Sequence, residues 1–270
     1  MTQTGVGITD TFDAETLHAH WKPLTIGSGA LEYVDQTLRC VLPPTDDTTY
    51  SDAQISDYQG LPRRDFPWHP PLRLTVRAWA SQSGDQLRGT AGFGFWNEPF
   101  VPLQRGVPRL PRAIWFFAAS PPNNMALSRD VPGYGWKAAQ IDATRLPFFA
   151  LLPLAPVGFL LMRIPALYRR LWPVGQWALG VSETELPASL AQPHTYELDW
   201  LVDGAVFRVD GQVVHTTTRS PKGPLGFIAW IDNQYAVVTP QGRFRFGLLN
   251  VDKQQWLALD RVEIQPLREL

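Results

Sequence analysis

The sequence predicts an all-β fold, a sandwich of two antiparallel sheets built from a single domain over residues 1–270. Three observations support this prediction. Short runs of alternating apolar and polar residues recur along most of the chain, as expected for strands with one buried face. The 25 prolines cannot donate hydrogen bonds within a sheet, so they favour loops and edges over long helices. The stretch HTYELDWLVDGAVFRVDGQVVHTTT (194–218) contains three strands joined by two tight turns.

Further strands are predicted on both sides of this meander. They lie at 30–43, 52–58, 72–81, 89–100, 112–120, 224–238, 242–251 and 255–267. The stretch 30–43 predicts a hairpin that turns at Asp35 and Gln36. The strands at 89–100 and 112–120 are apolar on both faces, so we expect them near the centre of a sheet. In 50–58, alternate polar residues predict a solvated face of the sandwich.

One segment interrupts this pattern. Residues 125–192 are rich in proline and apolar residues, so we expect a long, partly helical insertion with its helix within 157–172. Three roles stay open for it, in decreasing order of expectation. They are a loop packed on its own sandwich, a lid over a cleft, and an interfacial contact with a membrane.

Within the insertion, the stretch 146–162 is apolar without interruption. It falls short of the roughly 20 residues of a membrane-spanning helix, and its three prolines would break a lipid-exposed helix. The sequence therefore predicts no transmembrane segment. An exposed patch of this size would aggregate or bind a partner, so we expect the run to be buried. A lid would place it over a cleft beside Trp96, Trp115 and Trp230.

Charge and cysteine content exclude several classes of partner and site. The net charge of −1 provides no field for nucleic acid or for an anionic membrane. Cys40 is the only cysteine, so no disulfide can form within the chain. The stretch MTQTGVGITDTFD lacks the basic and apolar regions of a signal peptide, from which we expect a cytoplasmic protein.

The meander also resembles a known family. HTYELDW followed by VFRVDGQVVHT resembles the H-T-Y-x-x-x-W and VDG-x-x-V stretch of family-16 glycoside hydrolases, which are concanavalin A-like jelly rolls. DTFDAETLHAHW (10–21), AGFGFWN (91–97) and LALDRVEIQP (257–266) are similar to other stretches of that fold, in the same order. The resemblance implies a two-sheet antiparallel jelly-roll sandwich. It also implies an aromatic-lined cleft for a sugar or a small apolar molecule.

The catalytic motif of that family is missing. Its catalytic strand carries E-x-D-x-E, a spacing that places three carboxyl groups on one face of a strand. In the corresponding strand here, RAIWFFAAS (112–120), neither face carries a carboxylate, and E-x-D-x-E occurs nowhere else in the chain. We therefore expect a glycosidase-degenerate, non-catalytic protein that binds a carbohydrate or small-molecule ligand. We do not expect a retaining glycosidase of the family-16 type.

The candidate ligand-binding residues are aromatic or polar side chains on three predicted strands. They are Trp96, Asn97, Trp115, Phe117, Trp230, Asp232, Asn233, Gln234 and Tyr235. The resemblance implies that Trp96 lines the cleft. The string Asp232–Gln234 interrupts an apolar strand, which has two interpretations: a local turn in which these side chains bond the backbone, or polar contacts to a ligand.

Two further hypotheses stay open. In the first, the chain is an enzyme that acts on a small, largely apolar metabolite, with Asp232 or Glu98 as acid/base under the insertion. In the second, Asp260 and Asp13 hold a structural calcium ion, which the resemblance implies between the first and last strands. No other cofactor is predicted.

Overall fold

The computed structural model describes residues 7–13, 16–99 and 109–267, and it confirms the predicted two-sheet sandwich. Its strands in chain order are β1 (Ile8–Asp10), β2 (Lys22–Ile26), β3 (Ala30–Tyr33), β4 (Leu38–Leu42), β5 (Asp52–Ser56), β6 (Leu72–Ala80), β7 (Thr90–Trp96), β8 (Arg112–Ala119), β9 (Gly135–Asp142), β10 (Ser182–Glu185), β11 (His194–Leu201), β12 (Gly204–Val209), β13 (Gln212–Thr217), β14 (Gly226–Asp232), β15 (Gln234–Val238), β16 (Phe244–Leu248) and β17 (Gln255–Pro266). Three α-helices, α1 (Leu146–Leu151), α2 (Ala155–Leu161) and α3 (Pro165–Ala178), lie between β9 and β10, with a 3-10 helix at Leu152–Leu154 joining the first two.

All strand pairs in both sheets are antiparallel. The eight-stranded sheet has the order β13-β12-β11-β6-β17-β4-β3, with β1 also paired to β17. The seven-stranded sheet has the order β10-β9-β8-β7-β14-β5-β2. Strands β15 and β16 form a separate hairpin that directly follows β14. About half of the neighbouring strands in each sheet are not consecutive in the chain, so the complete order could not be read from local patterns.

The predicted turns are confirmed. Asp35 and Gln36 both have positive φ (51° and 58°) between β3 and β4. Asp210 and Gly211 also have positive φ (49° and 75°) between β12 and β13. Two consecutive residues of this kind form the hairpin turn whose twist matches that of the flanking strands.

The core lies between the two sheets. Phe93 from β7 and Phe116 from β8 meet Tyr196 from β11, with ring centroids 5.1 to 5.5 Å apart. All three side chains are fully buried. Strands β7 and β8 are indeed near the centre of the seven-stranded sheet, as their apolar composition predicts.

The insertion is shorter than the predicted 125–192, because two strands of the seven-stranded sheet lie within that range. These are β9 and β10, so the part outside the sandwich is 143–181. Prolines divide it into short helices, and α1 and α2 have no buried residue. No helix in the described ranges is long and apolar enough to cross a bilayer.

The prediction that the apolar run 146–162 is buried is wrong. Phe149 and Leu152, two of its members, are 47% and 45% exposed. Phe159 packs on Phe244 of β16, with ring centroids 5.6 Å apart. The short helices therefore lie beside the β15–β16 hairpin with most of their apolar surface in solvent.

Candidate functional site

Four aromatic side chains cluster on the outer face of the seven-stranded sheet, away from the core. We call them the aromatic site: Trp96, Trp115, Phe117 and Trp230. Trp96 and Trp230 are nearly parallel, with ring centroids 6.5 Å apart and an interplanar angle of 4°. Trp115 lies 5.3 Å from Trp230, and Phe117 lies 5.4 Å from Trp115. Trp230 is buried, whereas the other three rings are partly exposed and can contact a ligand.

The small residues of β7 make room for these rings. A side chain at Gly92 would come within 3.0 Å of the Trp230 indole, and one at Gly94 within 2.6 Å of the Cβ of Trp115. Gly94 lies directly opposite Trp115, and Gly92 lies opposite both Phe117 and Trp230. The alternation of glycine and phenylalanine in GFGF therefore places phenylalanines in the core and leaves space for the indoles on the outer face.

A pair of carboxyl groups lies at one end of the aromatic site. Asp52 of β5 and Asp232 of β14 are directly opposite each other across the two strands. Such partners have Cβ atoms about 4.5–5.5 Å apart. Both residues are buried, at 2% and 9% exposure. Two carboxylates this close cannot both ionise at low cost.

Asp232 is tied to the aromatic site by a short chain of hydrogen bonds. Trp230 Nε1 donates to Thr90 Oγ1 at 3.0 Å, and Thr90 Oγ1 donates to Asp232 Oδ1 at 2.9 Å. The same Oδ1 accepts the backbone N–H of Gln234 at 3.0 Å. Burial raises the pKa of Asp232 to about 7, although the bonds from Thr90 and Gln234 oppose this shift. Asp232 can therefore hold or release a proton near neutral pH.

Burial, reinforced by the charge on Asp232, also raises the pKa of Asp52 well above its ordinary value. The pKa of Tyr50 is raised by burial and then by the charges on Asp232 and Asp52, which places its hydroxyl near the pair. This end of the site therefore offers carboxyl and hydroxyl protons rather than a dense negative charge.

The prediction of a solvated face over 50–58 is wrong. Asp52, Ser56 and Tyr58 are at most 2% exposed, because they lie on the outer face that carries the aromatic site. Sequence reasoning missed Tyr50, Asp52 and Tyr58 as site residues. Two tyrosines that flank an alternating polar strand were the available signal. Only the pairing of β5 with β14, which are distant in sequence, places them beside Trp230.

The opposite end of the site contains Tyr58, Glu98 and Arg63. Trp96 Nε1 and the Tyr58 hydroxyl are hydrogen-bonded at 2.6 Å. Arg63 Nε donates to the backbone carbonyls of Asn97 and Glu98 at 2.9 and 3.0 Å. The pKa of the half-buried Glu98 carboxyl is raised by burial, and the charge on Arg63 offsets only part of this shift. Glu98 follows the last residue of β7, and Asp232 is the last residue of β14, which runs antiparallel to β7. The two carboxyl groups therefore lie at opposite ends of the site.

Three of the predicted ligand-binding residues bond or pack within the fold. Asn233 is fully buried and bonds the backbone N–H of Ser51 and the carbonyl oxygens of Thr49 and Leu249. Its role is the local backbone bonding that the first interpretation predicts. Asn97 is 3% exposed and bridges the backbone of Leu110 and Arg112. Tyr235 packs on Gly247 within the β15–β16 hairpin, under the guanidinium of Arg245.

The insertion flanks the aromatic site at the β9–β10 side. Lys137 lies opposite Phe117 and forms an ion pair with Glu183 at 3.2 Å, with both side chains at most 8% exposed. The other carboxylate oxygen of Glu183 accepts the backbone N–H of Ser128 at 2.9 Å. Trp172 of α3 holds this loop through a bond from Nε1 to the carbonyl oxygen of Leu127. The loop at 127–128 and α3 therefore form a wall at one side of the site.

The residues predicted for calcium lie on the other sheet. Asp13 and Asp260 line one surface depression together with Arg39 and Trp79. Asp260 forms an ion pair with Arg77, whose guanidinium a calcium ion would have to displace. Among the described residues, no group of three or more His, Cys, Asp or Glu side chains is placed to hold a metal ion. This donor set is a poor fit for calcium, which takes six to eight oxygen ligands.

A scan against protein-family models found no matching family, and a search of curated proteins found no similar sequence. Solved structures do share the fold. An endo-β-galactosidase from Clostridium perfringens that releases GlcNAcα1-4Gal aligns with a TM-score of 0.55 at 13% identity, over 95% of this chain and 60% of that one. The chain thus spans less than two thirds of that enzyme.

Two smaller enzymes align over nearly their full length. The β-glucanase of Bacillus licheniformis has a TM-score of 0.51 at 14% identity, covering 98% of this chain and 100% of the enzyme. The endo-1,3-β-glucanase of Streptomyces sioyaensis has a TM-score of 0.51 at 15% identity, covering 95% and 94%. At these identities the likeness shows the fold alone. That fold is a two-sheet antiparallel jelly roll, which the chain shares with these glucanases.

Proposed function

We propose that this protein binds a carbohydrate at the aromatic site. The observation that supports the proposal most is the site itself. It combines three partly exposed aromatic rings with hydrogen-bonding groups at both ends. Ligand sites of this kind use apolar walls for contact area and a few polar groups for orientation.

The aromatic site suits a ligand with one apolar face and polar edges. The partly exposed rings of Trp96, Trp115 and Phe117 offer flat apolar surface, as the faces of a sugar ring require, and the buried Trp230 packs beneath them. Beside them, the partly exposed Thr90 and Gln234, with Asp232 hydrogen-bonded behind Thr90, provide donors and acceptors for hydroxyl groups. The structural neighbours include enzymes whose names state action on β-1,3-glucan, which makes β-glucan fragments the first ligands to test.

We further propose that the site does not cleave its ligand by a family-16 mechanism. On the outer face of β8 lie Ala113, Trp115, Phe117 and Ala119, none of which can act as a nucleophile or acid. In place of carboxylates the strand contributes two of the four rings of the aromatic site. A small apolar molecule is the alternative ligand, since the rings alone would favour it.

Isothermal titration calorimetry with β-1,3-glucan oligosaccharides tests the proposal. Trp115→Ala should weaken binding about tenfold or more, since loss of an aromatic contact costs about 1.4 kcal/mol or above. The matched control is Trp79→Ala, which removes a partly exposed indole from the outer face of the other sheet and should leave the affinity unchanged. No binding of any oligosaccharide, or equal loss in both variants, would contradict the proposal. Binding of an apolar naphthalene probe, without binding of any oligosaccharide, would favour a small apolar molecule as the ligand.

A second function is favoured by the Asp52–Asp232 pair. A buried carboxyl with a pKa of about 7 beside a second carboxyl is suited to acid–base chemistry on a small, largely apolar metabolite. In that case Asp232→Asn should abolish turnover and retain ligand binding, whereas Glu98→Gln, at the other end of the site, should retain both. The reverse outcome would assign the chemistry to Glu98.

A further inference from the structure

The helical segment 146–164 exposes an unusual amount of apolar surface. Leu146 is 84% exposed, Leu154 62%, Leu160 60% and Val157 57%. Most of the exposed large apolar side chains in the described ranges belong to this segment and its immediate surroundings. A monomeric domain rarely exposes a contiguous apolar patch of this kind unless the patch binds something.

The patch continues onto the β15–β16 hairpin. Phe159 of α2 packs on Phe244 of β16, and a side chain at Gly242 would overlap Phe159. Phe244 and Phe246 lie on the same face of β16 and are 57% and 63% exposed. Two segments that are far apart in sequence thus present one surface. We call it the apolar platform: residues 146–164 with Phe244 and Phe246.

The segments that form the apolar platform carry arginines and no acidic residue, and the neighbouring Asp130 is paired with Arg129. Residues 143–182 contain four arginines and no aspartate or glutamate, and residues 233–251 contain two arginines and no acid. Arg163, Arg169, Arg170, Arg243 and Arg245 are exposed. Arg163 also contacts the carbonyl oxygen of Gln241, which places it where the two segments meet. The chain as a whole is slightly acidic, so this local excess of arginine is not a general property of the surface.

Exposed apolar side chains bordered by arginines suit the surface of a membrane with acidic lipids. We propose that the apolar platform docks onto the surface of an anionic lipid bilayer. Short helices with Leu, Phe and Val on one side and arginines beside them lie at the boundary between headgroups and acyl chains. Arginine binds lipid phosphate groups bidentately, and each basic residue near an anionic surface contributes about 1 kcal/mol. The helices, of six and seven residues in α1 and α2, would lie in the interface plane.

The same charges disfavour a second copy of this chain. A two-fold symmetric interface brings the same patch of each copy together, so the arginines around one platform would face those around the other. A bilayer that contains acidic lipids supplies the opposite charge and an apolar interior at once.

The proposal is tested by flotation of the protein with two kinds of vesicle. One contains phosphatidylcholine and phosphatidylglycerol, and the other contains phosphatidylcholine alone. The protein should float with the first, and binding should weaken with added salt, which screens the arginines. Val157→Asp/Leu160→Asp should reduce binding more than tenfold, because both side chains would otherwise be removed from water. Arg163→Gln and Arg243→Gln should each reduce it about fivefold on the anionic vesicles.

The matched control is Val202→Asp/Val213→Asp. These valines are 56% and 59% exposed in the β11–β13 meander, so the variant has the same change in charge and similar exposure at a remote surface. It should bind vesicles like the wild type. Equal loss in both double variants, or no flotation of the wild type, would overturn the proposal. A dimer in light scattering that Val157→Asp/Leu160→Asp dissociates, without vesicle binding, would assign the platform to self-association.

Discussion

The outer faces of the two sheets are built from the same alternating strands, yet they have different chemistry. On the eight-stranded sheet, Arg73 pairs with Asp199 and Arg77 pairs with Asp260, with both arginines 40% or more exposed. On the seven-stranded sheet, the same positions in the pleat hold indole rings and carboxyl groups that are largely buried. The first face is an ordinary solvated surface, whereas the second has the composition of a ligand site.

The carboxyl groups of the two faces show this contrast most clearly. Partial burial alone would raise the pKa of Asp199, but bonds and charges from Arg73 and Arg208 outweigh it, so the pKa lies below its ordinary value. Burial raises the pKa of Asp232 to about 7, since its partners are a hydroxyl and backbone N–H groups. Asp199 is therefore a structural anion, whereas Asp232 can donate or accept a proton.

The largest expected difference between the faces concerns ion pairs. Lys137→Met should lower the free energy of unfolding by about 3 kcal/mol or more, because it leaves the buried carboxylate of Glu183 without its cation. Arg77→Met, on the other sheet, should cost about 1 kcal/mol or less, because the Arg77 side chain is 47% exposed and Asp260 also has Arg261 nearby. Urea denaturation followed by circular dichroism measures both values.

A double variant distinguishes the loss of the Lys137–Glu183 ion pair from the loss of side-chain packing at Lys137. Lys137→Met/Glu183→Gln removes both charges but keeps an oxygen that can accept the backbone N–H of Ser128. It should be more stable than Lys137→Met alone. Equal stabilities of the single and double variants would mean that the ion pair contributes little, and that the two faces differ less than their burial suggests.

The next prediction concerns pH. The pKa of Asp232 is about 7 in the folded protein and about 3.9 in an unfolded chain, so the native state binds the additional proton between these values. The free energy of unfolding should therefore fall as pH rises from about 4 to about 7. Asp232→Asn keeps the Oδ1 acceptor and has no proton to lose. Above pH 7 it should exceed the wild type in stability by at most about 4 kcal/mol.

The matched variant on the other face should show the opposite sign. Asp199 has a lowered pKa, so its contribution to stability is present above its unfolded pKa and is lost as pH falls through its folded pKa. Asp199→Asn should accordingly destabilise the protein at neutral pH and have little effect in acid. Asp57, whose pKa burial also raises to about 7, will retain part of the slope in Asp232→Asn. A wild-type stability that rises from pH 4 to 7 would contradict the assignment to buried carboxyls.

The fold could be predicted from the sequence because it depends on local patterns. Alternation located the meander and the strands around Phe93 and Phe116, and turn residues such as Asp210 and Gly211 located the hairpins. The rings of the aromatic site could also be predicted, with Trp96 identified through the family resemblance. The site residues on β5 could not, since Asp52 becomes a site residue only by pairing with Asp232, 180 positions away.

For the insertion, apolar composition gave the wrong prediction. Its apolar composition predicts burial, since apolar side chains are usually removed from water. The structure leaves the segment exposed because its prolines divide it into helices too short to lie along a sheet face as one unit. Composition alone therefore could not distinguish an apolar segment in the chain's own core from one on its surface.

The smallest expected effect tests the hydrogen-bond chain that links Trp230 to Asp232 through Thr90. Because Trp230 donates to the Thr90 hydroxyl, which in turn donates to Asp232, ionisation of this carboxyl should change the fluorescence of Trp230. The emission of the wild type minus that of Asp232→Asn should titrate with a midpoint near pH 7. Thr90→Val removes the hydroxyl that links the two side chains, so the pH-dependent change in emission should be largely lost. Trp79→Ala, on the other sheet, should leave the midpoint unchanged. A midpoint near pH 4 would show that burial does not raise the pKa of the Asp232 carboxyl. The proposed difference in carboxyl chemistry between the two sheets would then be wrong.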